Sequence, residues 1–391
     1  MNGEIQNVPV IENEKIHVKT ANKYLWFVPG LYVILCASLL IMTCIGYGFY
    51  YFLLHIAPPL VAVLLFGAFL GVGIGVLLGY YSVFSGIFRS LFPRTIEEVG
   101  IVMNEAMEPE LFEQIKDLCE QMHAEMPKYI ILNARSAFFA ADAAISLPNE
   151  KIRGTILSIS LPMLYNVNID ELRSIVSHEL AHFTGWDTKF SKKIAPVYQG
   201  AMTMLKRIDY GINTDRSDLA SFMMVPSLIP TVIVRYYLKW FHNHMVAISR
   251  AREYRADAWA AQTCGTATYM SSLEKMHSNP IIFERVSYGD LTGRYKEGRG
   301  IINYFQVFRQ YSDSLRGEVA QELQFARSKI SSADDTHPTL TERLNNLPVC
   351  EGKSVSSDPA YVLLKHIEEY ERVLSDELSL FHNNRSQLRN H

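Results

Sequence analysis

The chain has 391 residues, enough for two or three domains or for one domain with a membrane anchor. A net charge of −3 excludes a partner chosen by bulk positive charge, so no nucleic acid is expected. Hydrophobic residues make up 49%, with 21 Tyr and 20 Phe, which is high for a wholly soluble protein.

The apolar excess is concentrated near the start. From Tyr24 to Phe88, a run of 65 residues, there is no Asp, Glu, Lys or Arg. About 20 apolar residues cross a bilayer, so this run predicts two spans. They fall near 26–49 and 60–86, with Pro58-Pro59 at the turn. A secretory signal has a much shorter apolar core and a small-residue cleavage site; the first span is expected to stay as an anchor. Lys15, Lys19 and Lys23 precede it, Arg89 and Arg94 follow the second span, and only His55 can charge the turn. The positive-inside rule then puts both flanks in the cytosol. The expected protein is integral and multi-pass, its partner is the lipid bilayer, and everything after Arg89 is cytosolic, with a bacterial inner membrane as the expected location.

Gly67, Gly71, Gly75 and Gly79 recur every four residues. They form a small-residue stripe on one face of the second span, where another helix can approach closely. The first span is the expected neighbour; self-association into a homo-oligomer is the sharper reading. Cys36 and Cys44 fall in the first span, and Cys119, Cys264 and Cys350 are far apart. That spacing suggests neither a disulfide framework nor a thiolate zinc site.

Beyond the hairpin, residues 91–132 read as helix and linker, with an amphipathic helix over Glu108 to Met126. Lys128 to Leu132 (KYIIL) and Gly154 to Leu161 (GTILSISL) read as strands. Asn168-Ile-Asp-Glu171 has the form of a capping box and Gly185 of a helix end, predicting a helix over 169–184. His242 to Thr263 is a second helical pattern, closed by Gly265. Residues 285–330 and 358–382 carry further amphipathic patterns.

The helix over 169–184 holds Ser177-His-Glu-Leu-Ala-His182. His178 and His182 sit one turn apart on the same face, so both imidazoles can reach one metal ion, with Glu179 beside them. A catalytic zinc site needs three protein ligands and an open position. The local continuation fails: the tenth residue after His178 is Thr188, and Asp187 is out of register. The alternative lies in Arg252-Glu-Tyr-Arg-Ala-Asp257 on the second helix. There Glu253 and Asp257 share a face. Glu253 can bind a metal, and Asp257 can fix a ligand histidine from behind. The plain reading of these acids is pairing with Arg250, Arg252 and Arg255 on a solvated face. His242 and His244, two apart, point in different directions and cannot chelate together.

SHELAH, then SRAREYRADAWAA, then DTHPTLTERLNNL (Asp335 to Leu347) resemble the gluzincin membrane zinc metallopeptidases of the HtpX and Ste-type CAAX prenyl endopeptidase family. The resemblance covers roughly residues 130–350. It implies a mainly α fold with a small β-sheet, an α+β zincin-type peptidase domain behind an N-terminal transmembrane helical hairpin. It implies one zinc ion per chain on His178, His182 and Glu253, Glu179 as general base, Asp257 behind the ligands, and His337 and Arg343 near the scissile carbonyl. Asn133-Ala134 and the strand with Ile156, Ser158 and Ser160 resemble the edge strand on which substrate lies. The expected division is a tail at 1–23, the hairpin at 24–90, the peptidase domain at 91–350, and a C-terminal helix and tail at 351–391. Substrates would be proteins or peptides, above all damaged membrane proteins.

One departure stands out. HtpX proteins carry two further hydrophobic segments before the third ligand; here only Leu219 to Val234 is uncharged, broken by Pro226 and Pro230. As a helix it would span about 24 Å, short of the ~30 Å hydrocarbon core. A single crossing would also strand Glu253 across the membrane from His178. Residues 219–241 are therefore expected to be re-entrant, interfacial or buried. Two other readings of the whole remain: a proteolytically inactive scaffold or chaperone-like protein that keeps the fold, and a purely structural zinc.

Overall fold

The structure, a computed structural model, describes residues 27–55, 95–184, 228–285 and most of 303–389, with scattered residues between 58 and 85. The chain forms two compact units. One holds the described residues of Arg94–Ser191 and Ser249–His391; the other holds those of Asn13–Pro93 and Lys192–Ile248.

In the second of these units, helix α1 (Phe27–His55) covers the expected first span and carries no Asp, Glu, Lys or Arg. Several of its side chains, and most of the expected second span with Gly71, Gly75 and Gly79, lie outside the described residues. Among the described residues no helix is long and apolar enough to cross a membrane.

The other unit is mostly helical around a five-stranded mixed sheet. Its strands are β1 (Ile96–Glu97), β2 (Gly100–Val102), β3 (Tyr129–Asn133), β4 (Phe139–Ser146) and β5 (Lys151–Ser160), in the order β1-β4-β5-β3-β2. β5 runs antiparallel to β4 and parallel to β3. Successive side chains of a strand face opposite sides. Ile130, Leu132, Leu157 and Ile159 join the large core, while Ile131, Ile152 and Ile156 join Ile145 and Leu147 in a small second core.

One sequence expectation changes here. The strand with Ile156, Ser158 and Ser160 is not an edge: β5 is central, and these side chains are fully buried. Asn133 and Ala134 are buried too. Asn133 donates to Ser158 Oγ at 2.7 Å and to Ala137 O at 3.0 Å, and Ser160 Oγ donates to Arg135 O at 2.5 Å. Those bonds anchor the loop into β4. Among the described residues β1 pairs with β4 only at Ile145 and Ser146, so residues 139–144 of β4 have no strand partner on that side there. The C-terminal segment carries the helix expected there. The segment after Ile367 forms a helix whose Tyr370, Leu374 and Leu378 enter the large core, and Glu108 accepts bonds from the Lys365 and His366 amides at its start.

Around the sheet pack α2 (Pro109–Met122), the short α3 (Leu161–Leu164) and α4 (Ile169–Ala181). Then come α5 (Leu228–Cys264), α6 (Thr266–Ser278), α7 (Pro280–Arg285), α8 (Tyr304–Ser312), α9 (Arg316–Ser328), α10 (Leu340–Asn345) and α11 (Ile367–Arg389). α2 buries Leu111, Phe112, Ile115, Leu118 and Met122, the spacing of one helical face. Residues 228–234, the described part of the uncharged segment, lie in α5 and are continuous with the helix that carries Glu253. Gly265 alone separates α5 from α6. Its φ is +91°, and a Cβ there would stand 2.7 Å from the Gly352 nitrogen, so no other residue fits this corner.

Candidate metal centre

The predicted capping box starts α4: Asn168 Oδ1 accepts from the Glu171 amide at 2.8 Å, and Glu171 Oε2 accepts from the Asn168 amide at 2.9 Å. Two satisfied amides and a buried apolar face fix this helix, and with it His178 in its last turn. The helix ends three residues before the expectation, and His182 is its C-cap residue. Arg255 on α5 donates to the Ala181 and Thr184 carbonyls at 3.1 and 3.3 Å, at and just past the end of α4, and ties the two helices together.

The two helices bring His178, His182 and Glu253 to one point, with donor atoms within 4.8 Å of one another. His178 Nε2 lies 3.6 Å from Glu253 Oε2, and His182 Nε2 lies 3.9 Å from Glu253 Oε1. His178 and Glu253 are buried; Glu179, the next residue on α4, is partly exposed.

Behind the cluster is a layer of charge. Asp257 Oδ1 lies 3.1 Å from His178 Nδ1. Arg343 grips the same carboxylate, Nε to Oδ2 at 2.9 Å and Nη2 to Oδ1 at 2.5 Å, and Nη2 lies 3.7 Å from Glu253 Oε2. The Tyr269 hydroxyl donates to Asp257 Oδ1 at 2.5 Å. At the front, His337 Nδ1 lies 3.2 Å from Glu253 Oε1, its side chain 69% exposed.

These neighbours shift protonation. Burial disfavours the charged His178 imidazole, but bonding to Asp257 and Glu253 outweighs it and lifts the pKa to about 9. Burial likewise pushes Asp257 up, and the Arg343 charge with His178 overrides it, holding the carboxyl near about 2. Glu253 also ends well below the usual carboxylate range, its burial outweighed by His178 and His337. Bonding to Glu253 raises His337.

Of the residues expected in the site, the fold brings His178, His182, Glu253, Asp257, His337 and Arg343 together, and Glu179 follows His178 on α4. Arg343 sits differently from expectation. It is buried against Asp257 rather than open to a substrate carbonyl, and its position serves to hold that acid. Asn133, Ala134, Ile156, Ser158 and Ser160 belong to the sheet interior. Sequence reasoning missed Tyr269 and the capping task of Arg255. Tyr269 stands in TATYMSS, which carries no motif, and Arg255 read as a partner for nearby acids.

Residues 105–349 match the model of Peptidase family M48. A protease HtpX homolog of Leptothrix cholodnii is 28% identical over 213 residues, 51% of this chain and 70% of the relative. Another, of Neisseria meningitidis serogroup C, is 24% identical over 219 residues, 54% of this chain and 76% of the relative. The crystal structure of S. mikatae Ste24p aligns at 16% identity over 81% of this chain and 66% of that chain with a TM-score of 0.30, too low to bear on the fold. The family match takes in more than half of the chain and every residue of the cluster, and on that ground the protein belongs to peptidase family M48 and is a metalloprotease.

Proposed function

We propose that the chain is a membrane-bound, zinc-dependent endopeptidase. The convergence of His178, His182 and Glu253, with Glu179 beside them on α4, carries this reading. Donors at about 2.1 Å from a tetrahedral ion stand roughly 3.4 Å apart, close to the 3.6 and 3.9 Å found here. Two imidazoles and a carboxylate are also a usual donor set for catalytic zinc, whereas a structural site is closed by four protein ligands. When bound, the ion supplies Lewis acidity and brings the pKa of a water toward ~7.

The side chains then divide the work. His178 and His182 present ring nitrogens, and Glu253 presents a carboxylate oxygen. Glu179 takes a proton from the attacking water and delivers one to the leaving amine. His337, at the exposed front, donates to the oxyanion of the tetrahedral intermediate. Asp257 holds the His178 ring, and Arg343 holds Asp257.

Substrate lies extended along the open edge of β4, residues 139–144, the strand against which α4 packs. Added main-chain bonds give affinity with little sequence selectivity. Asn133, Ser158 and Ser160 support that edge from within the sheet. The uncharged run at 24–88 supports a membrane hairpin with both flanks cytosolic, and with it a site facing the cytosol of a bacterial cell. Cleavage of damaged membrane proteins or their cytosolic loops suits that position. An inactive scaffold would have no need of Glu179 beside an intact donor set.

The test is the full chain in detergent against Glu179→Gln. Both should hold one zinc, and only the wild type should degrade unfolded casein. Equal turnover by both sinks the mechanism. Membrane proteins that accumulate in cells carrying Glu179→Gln identify the substrates.

A further inference from the structure

We infer that Tyr269 is a positioning residue of the metal centre: its hydroxyl fixes the tautomer in which His178 points an unprotonated Nε2 at the metal. The inference rests on the metal-centre reading above. Tyr269 stands on α6, is fully buried, and stacks its ring near that of His178, centroids 6.0 Å apart and 19° between planes. Its oxygen has three neighbours within hydrogen-bond reach: Asp257 Oδ1 at 2.5 Å, His178 Nδ1 at 2.9 Å and Arg343 Nη2 at 2.9 Å.

A phenol has one proton and two lone pairs. Arg343 can only donate, so it takes one lone pair. Asp257, paired with Arg343, is an ionised carboxylate and can only accept, so it takes the proton, at the shortest distance of the three. One lone pair remains, and it faces His178 Nδ1. That nitrogen must therefore carry hydrogen, shared between Tyr269 Oη at 2.9 Å and Asp257 Oδ1 at 3.1 Å. In the neutral ring, the form that binds a metal, Nε2, which faces Glu253, is then the lone-pair end. Without the hydroxyl, Asp257 Oδ1 still reaches Nδ1, but alone and at the longer distance. Asp257 fixes the ring by charge, and Tyr269 adds direction.

Groups behind a ligand histidine typically set metal affinity by 10–100-fold. Tyr269→Phe keeps the ring and its packing and removes only the oxygen. The experiment measures zinc affinity by chelator competition at one pH, on the purified full chain as wild type, Tyr269→Phe, Asp257→Asn, the double variant and Glu253→Ala, with metal-free melting temperatures alongside. The expected result is a roughly 10-fold weaker zinc affinity in Tyr269→Phe, a metal-free melting temperature near wild type, and a double variant no weaker than the product of the singles. Wild-type affinity in Tyr269→Phe overturns the inference, as does a loss that appears only with collapse of the metal-free fold. Glu253→Ala separates the two levels of the argument. If it binds zinc like wild type, the metal-centre reading itself fails; if it loses zinc while Tyr269→Phe does not, only the role of Tyr269 fails.

Discussion

Arg343 donates through Nε and Nη2 to the two carboxylate oxygens of Asp257, at 2.9 and 2.5 Å, and both side chains are buried. A fork gripping a carboxylate at two points fixes orientation as well as charge. Removing one partner leaves the other charge buried and unpaired. Arg343→Met should therefore cost about 3–5 kcal/mol of stability, read from denaturation of the full chain in detergent. Lys cannot reproduce the fork, so Arg343→Lys should recover only part of the loss. A cost within about 0.5 kcal/mol, the level of an ordinary surface substitution, would show that the pair does not hold the site together.

How much of this was legible in the sequence follows from the range over which each signal acts. The capping box at Asn168 and Glu171 and the pair His178 and His182 are local, set by helical spacing, and both appear as read. Glu253 and Asp257 needed a second helix at the right place, which the family's motif order supplied. β4 was missed because Phe-Ala-Ala-Asp-Ala-Ala has weak strand propensity; its pairing along the whole of β5 makes it a strand. The edge was misassigned for a related reason: a run such as Ile156 to Ser160 does not say which strands flank it. Tyr269 was invisible because its role exists only once α6 stands beside α4.

Charge on His178 links pH to stability in the metal-free protein. Its pKa rises from an ordinary value near 6.5 to about 9 on folding, through bonding to Asp257 and Glu253 that outweighs burial. A raised pKa contributes stability that is full below the unfolded value and lost as pH climbs through the folded one. The melting temperature of chelator-treated protein should thus fall between pH 6.5 and pH 9, and His178→Asn should flatten that fall. Zinc requires the neutral ring, so zinc affinity should weaken as pH drops below about 9. An affinity that stays level from pH 9 to pH 6.5 would contradict the raised pKa of His178 in the metal-free site.

The hairpin reading fixes the sidedness of both termini. On the proposed topology, Lys15, Lys19 and Lys23 before the run and Arg89 and Arg94 after it keep both flanks on the cytosolic side. Cysteines introduced near Asn2 and near Asn390 should react with a membrane-impermeant maleimide only in inverted vesicles or opened cells. Labelling of either from the outer face overturns the orientation.

The last expectation concerns His337. The segment before α10 is built by its own capping box: Thr339 is the N-cap, its hydroxyl accepting from the Glu342 amide, while Glu342 Oε2 accepts from the Thr339 amide at 2.9 Å. Arg250 on α5 donates to Glu342 Oε1 at 2.6 Å, so the same carboxylate ties this segment to the Glu253 helix. His337 is thereby held beside Glu253 yet remains mostly exposed, a poor arrangement for packing and a good one for meeting a substrate. A donor aimed at an oxyanion gains strength only as charge develops, so it acts on the transition state more than on the bound peptide. Loss of one such donor costs about 10²–10³ in rate. His337→Phe should keep its zinc and its melting temperature, lower kcat by that factor, and leave KM nearly unchanged. A zinc-replete His337→Phe protein with wild-type kcat would falsify this role and leave His337 as part of the α10 start alone.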